Sequence, residues 1–91
     1  MVVLNELERF RRLLKLAQKE INQGRPGAAL EIIRPVTAEI ESREGTLEWA
    51  ELPLVMGAAL TAQNNKEPAL TYLNDALARI ATVHDPPVDL K

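Results

Sequence analysis

The chain carries one pattern twice. Residues 16–40, LAQKEINQGRPGAALEIIRPVTAEI, and residues 56–80, MGAALTAQNNKEPALTYLNDALARI, align without a gap at a shift of 40 positions. Leu7 then falls on Leu47, Leu14 on Leu54, Ala17 on Gly57, Gln23 on Gln63, Gly24 on Asn64, Ala29 on Ala69, Leu30 on Leu70 and Ile40 on Ile80. Leu and Ala are common here, so the Gln-Gly and Gln-Asn steps, the Ala-Leu pairs and the Ile pair carry most of the weight. A duplication of this period points to two copies of one supersecondary unit. Such a unit cannot bury its apolar face alone and stacks on its neighbour.

Apolar spacing identifies that unit as a pair of helices. Val3, Leu7, Phe10, Leu14, Ala17 and Ile21 recur every three or four residues, the stripe of a helix with one buried face. Leu4, Leu13 and Leu16 widen it. NQGRPG ends this helix, with Gly24 suited to a positive φ and Pro26 to the first turn of the next. Ala29, Ile32, Ile33, Val36 and Ile40 mark a second helix, which Gly45 terminates. Thr46 is placed to cap a third, with Leu47, Ala50, Leu54, Ala58 and Thr61 expected on its buried side. QNN ends that helix and Asn65 is expected to cap the fourth, whose stripe is Ala69, Leu73, Ala76, Leu77 and Ile80. No alternating β-branched run occurs. The expected fold is all-α, an antiparallel four-helix array built from two helix-turn-helix units spanning residues 1–85, with a tail at 86–91.

Composition limits what such a domain does. At 91 residues there is room for one core, and with no Cys and a single His neither a disulfide nor a Cys- or His-rich zinc site is available. The net charge of −2 lacks the basic excess of a nucleic-acid binder. No run approaches the roughly 18 apolar residues of a membrane-spanning helix. These features suggest a cytoplasmic protein that needs no cofactor.

Each copy resembles a tetratricopeptide repeat. The resemblance rests on the large-small pairs Leu16-Ala17 and Met56-Gly57 and the turns Gln23-Gly24 and Gln63-Asn64. Ala29 and Ala69 open the second helices, Ile33 and Leu73 follow, and a small residue comes next at Ala76, which Val36 approximates. It covers most of residues 7–84. The family's period is about 34 residues, so helices longer by a turn or more are implied. Glu20 stands where an aromatic is usual, and Glu41 where a proline is usual. The resemblance implies a peptide groove lined by the first helix of each unit. Transferred residue by residue, that lining is Arg11, Leu14, Gln18, Ile21 and Asn22 from the first copy, and Glu51, Leu54, Ala58, Thr61 and Ala62 from the second. Family members that hold a peptide carboxylate use Lys, Asn and Arg on this surface. Only Arg11 and Asn22 offer that chemistry here, so the groove suits an apolar or amphipathic segment.

Other residues bear on partners. Trp49, one of three aromatics, reads either as a core-edge residue or as an interface anchor. Arg9, Arg11, Arg12, Lys15 and Lys19 form a basic run interleaved with Glu6, Glu8 and Glu20, the pattern of a solvated helix face. His84 beside Asp85 lacks any neighbouring nucleophile and reads as a cation at a helix end. Pro35 and Pro53 sit inside helical patterns at similar heights. Either both helices bend together, or Pro53 opens a separate short helix. Two stacked units leave apolar ends uncovered, so a homodimer is expected. The functional expectation is a non-enzymatic module binding a protein segment. The alternatives are a self-associating structural bundle and a nucleic-acid regulator using the basic first helix.

Overall fold

The computed structural model describes residues 2–83, with side chains from Glu6 onward. His84, Asp85 and the tail 86–91 lie outside the described residues. The fold is all-α: Val2–Asn22 (α1), Pro26–Ile33 (α2), Thr37–Glu41 (α3), Leu47–Ala62 (α4) and Lys66–Thr82 (α5), with a 3-10 turn at Arg34–Val36 joining α2 to α3. Among the described residues there is no strand, and no helix is long and apolar enough to cross a membrane. The first unit is α1 folded back on α2 and α3; the second is α4 folded back on α5.

The two units turn in the same way, bond for bond. Gln23 N–H donates to the carbonyls of Lys19 and Glu20, as Gln63 N–H does to those of Ala59 and Leu60. Gly24 N–H reaches Ile21 and Asn64 N–H reaches Thr61, both at 3.0 Å. Arg25 N–H closes on Glu20 at 2.8 Å and Asn65 N–H on Leu60 at 2.9 Å. These bonds require a left-handed residue after the helix, and Gly24 (φ +82°) and Asn64 (φ +65°) supply it. Asn adopts that region more readily than other side-chain-bearing residues. Asn65, expected to cap α5, makes no side-chain cap bond. Thr46 does cap α4, its Oγ1 accepting from Trp49 N–H at 3.1 Å.

The core joins the units. Phe10, Leu14 and Ala17 of α1, Ala29, Ile33, Val36 and Ile40 of the second strut (α2, the 3-10 turn and α3, residues 26–41), and Leu52, Val55 and Ala59 of α4 form one buried cluster. α4 packs on α1, α2, α3 and α5, and this central position overturns the stripe expected for it. Of Leu47, Ala50, Leu54, Ala58 and Thr61, only Ala50 is buried, while Leu47 and Leu54 are exposed. Leu52, Pro53, Val55, Gly57 and Ala59 are the buried residues instead. A helix covered on two flanks has no single apolar face for periodicity to find. On α5 the expectation holds for Ala69 and Ala76, whereas Leu77 and Ile80 stand exposed.

At Gly57 α4 comes close against α5. A Cβ there would lie 2.7 Å from Leu73 Cδ2 and 3.3 Å from the Ala69 carbonyl oxygen, closer than van der Waals packing allows.

The prolines behave differently from each other. Pro35 interrupts its helix: the 3-10 turn shifts the bonding so that Thr37 N–H donates to the Arg34 carbonyl. The Ile33 carbonyl is met instead by the Thr37 hydroxyl at 3.0 Å. α4 by contrast continues through Pro53, so no separate helix begins there. Pro53 lacks the N–H that would bond the Trp49 carbonyl four residues back. Arg79 of α5 replaces it, Nη1 donating to that carbonyl at 2.9 Å.

Candidate functional site

α1 and α4 lie side by side with a cleft of about 290 Å³ between them. Arg11, Leu14, Lys15 and Gln18 line it from α1, and Leu47, Glu48, Glu51, Leu54 and Val55 from α4. Its floor is apolar. Leu14 is buried, while Leu47 and Leu54 are exposed at 57% and 43%, unusual for leucines lining a recess that water can enter.

The walls carry charge. Arg11 clamps Glu48, with Nε 3.0 Å and Nη2 2.9 Å from Glu48 Oε2. Glu48 is only 3% exposed, so this pairing offsets the desolvation of its carboxylate. Glu51, one turn further along, is half-buried. Burial and the neighbouring Glu48 charge push its carboxyl above the usual range, against a smaller opposing pull from Arg11 and Lys15. Gln18 Nε2 donates to Asn22 Oδ1 at 3.2 Å, which sets the outer end of the α1 wall.

Of the residues expected to line a groove, the cleft gathers Arg11, Leu14, Gln18, Glu51 and Leu54. Ile21, Asn22, Ala58, Thr61 and Ala62 fall outside it. Ile21 packs on the core, Asn22 is exposed, and the Thr61 hydroxyl bonds back to the Gly57 carbonyl at 2.8 Å. Ala58 and Ala62 carry methyl groups too short to raise a wall. Sequence reasoning missed Lys15, Leu47, Glu48 and Val55 as lining. Leu47 read as core and Lys15 as solvated charge, and only the repeat register, which pairs Lys15 with Val55, hinted otherwise.

Trp49 belongs to a different place. Its ring faces the Arg79 guanidinium, 4.6 Å from the centroid, in a hollow shared with Glu41, Glu44, Asp75, Ala78 and Thr82. Arg79 also bonds Glu41 at 3.0 Å and Asp75 at 3.2 Å. One guanidinium thus holds α3, α4 and α5 together. In the repeat register Trp49 and Arg79 correspond to Arg9 and Glu39, themselves bonded at 3.1 Å. The same two positions bridge the helices of each unit with different chemistry. Trp49 is therefore engaged within its own unit, on the side of α4 turned away from the cleft lining.

Among the described residues, no group of three or more His, Cys, Asp or Glu is placed to hold a metal ion. No family model, curated protein or solved structure matches the chain. The cleft and the packing around it are what a functional reading has to rest on.

Proposed function

We propose that this chain is a non-enzymatic interaction module, a small adaptor or chaperone-like subunit of tetratricopeptide type. It holds an amphipathic protein segment in the cleft between α1 and α4. The observation carrying this reading is the pair of exposed leucines, Leu47 and Leu54, on the floor of a recess with a cationic wall (Arg11, Lys15) and an acidic one (Glu48, Glu51). An apolar stripe on the segment covers the leucines. A basic residue on the segment meets Glu51, the wall carboxylate not clamped by Arg11, and gains from returning its charge to a paired state. A cysteine-free module of this kind suits the cytoplasm.

The test is a titration of isotope-labelled protein with amphipathic helical peptides bearing a leucine stripe flanked by lysine. Amide shifts should concentrate at Leu14, Lys15, Leu54 and Val55, and Leu54→Asp should abolish them. Shifts confined to other surfaces, or unaffected by Leu54→Asp, would remove the proposal. The nucleic-acid reading gains no support, because Arg9 and Arg11 are committed to Glu39 and Glu48. A structural, self-associating role draws on the exposed apolar residues of α5, Leu70 and Leu77.

A further inference from the structure

The repeat register makes the first unit a control for the second. Side chains that α4 covers in the first unit have counterparts in the second that no further helix covers among the described residues. Leu14 is 2% exposed and Leu54 43%; Ile40 is 0% exposed and Ile80 51%. Leu30 is half-buried, whereas Leu70 stands 59% exposed, and the counterpart of half-buried Thr37 is Leu77 at 68%. The second unit therefore ends in an apolar trough along α4 and α5, shaped to take a helix as the first unit takes α4.

Charge decides which helix fits. α4 docks on the first unit through Leu52, Val55, Met56 and Ala59. The same positions of α1 hold Arg12, Lys15, Leu16 and Lys19, all exposed. Docking another copy's α1 into the trough would take three cations out of water. Few acids wait to meet them: between Pro68 and Val83 the charges on α5 are Asp75 and Arg79, which bond each other, and only Glu51 on α4 and Glu67 at the start of α5 stand near the trough without an ion pair. The first unit is closed by charge, and the second is open. Head-to-tail stacking of copies would leave at least one of the three cations buried without a partner, which disfavours it.

We infer that a second copy of this chain covers the trough across a two-fold axis, α5 lying against α5. A two-fold contact sets one patch against itself, and a patch without free charge is the kind that can do so with no repulsion. Asn74 stands among these leucines, exposed, and its amide both donates and accepts, so it can pair with its own copy on the axis. α5 is 17 residues long, about 25 Å at 1.5 Å per residue, and a two-helix trough roughly 20 Å wide gives a footprint of about 500 Å² per protomer. The total of about 1,000 Å² lies at the low end for specific interfaces, the class of weak or transient contacts. Leu47 and Leu54 also line the cleft, whereas Leu70 and Leu77 report on the trough alone.

Sedimentation equilibrium of the full chain, from low micromolar to several hundred micromolar, tests this. The expected result is a monomer–dimer equilibrium with no larger species. Leu70→Glu and Leu77→Glu should each weaken association at least tenfold with the helical circular dichroism unchanged, while Leu16→Glu on α1 leaves it as it was. The triple variant Arg12→Leu, Lys15→Val, Lys19→Ala gives α1 the docking residues of α4 and should assemble beyond the dimer. A wild-type chain that stays monomeric throughout would overturn the inference. So would association that survives both α5 variants, or wild-type species beyond the dimer.

Discussion

Arg79 and Pro53 are coupled through a single carbonyl, and that coupling can be measured. Arg79→Met keeps the apolar stem but removes the donor to the Trp49 carbonyl. A hydrogen bond from a charged group to such an acceptor contributes about 1.5–3 kcal/mol. The cation over the Trp49 ring adds about 0.5–2 kcal/mol. The pairs with Glu41 and Asp75 involve carboxylates more than 40% exposed, so each adds at most about 1 kcal/mol. Allowing for non-additivity, the loss should be about 2–4 kcal/mol. In a Pro53→Ala background, residue 53 regains the N–H that bonds the same carbonyl, and Arg79→Met should then cost about 1–2 kcal/mol less. The assay is urea unfolding of the four proteins of this cycle, followed by helical circular dichroism at one fixed protein concentration, since self-association would shift the midpoint. Additivity within about 0.5 kcal/mol would refute the argument that Arg79 substitutes for the missing N–H.

Three further outcomes follow from the packing and the cleft. Gly57→Ala should destabilise by about 1–2 kcal/mol despite its higher helix propensity, because the new methyl group strikes Leu73. Leu73→Ala in the same chain should reduce that penalty, and a thermal melt of the pair decides it. Arg11→Met leaves the Glu48 carboxylate buried without its clamp and should cost about 1–3 kcal/mol in urea unfolding, of which Glu48→Gln in the same chain recovers part. Glu51 has its carboxyl raised in the folded state by burial and by Glu48, so the folded protein holds that proton to higher pH than the unfolded chain. Stability therefore rises as pH falls through the raised value and levels off below the ordinary carboxylate range. Glu51→Gln should be the more stable protein at neutral pH and lose that advantage in acid, as paired thermal melts across pH would show.

Much of the architecture was legible because it depends on local chemistry. The turns at Gly24 and Asn64, the Thr46 cap and the Pro26 start each need a particular backbone or side-chain property at one position. The buried faces of α1 and of the second strut were legible for a related reason, since each packs through one side. α4 was misread because covering on two flanks erases the periodic contrast. Tolerance of Pro53 was illegible, since its remedy lies on the next helix. The cleft was half legible: Arg11, Leu14, Gln18, Glu51 and Leu54 were among the residues that the family resemblance implied. Glu48 was not, because a carboxylate near a helix start gives no hint that an arginine two helices away will draw it inward.

The main core cluster contains no residue of α5, and the extensive packing of α5 falls on α4 alone. This distribution makes the last helix a separable layer. It can peel away while Phe10, Ile33, Ile40 and Leu52 remain packed, so its amide protons should exchange with solvent through partial opening, well ahead of those in α1 and α4. The molecule then has a graded rigidity along its length, firm where the first unit grips α4 and yielding toward residue 83.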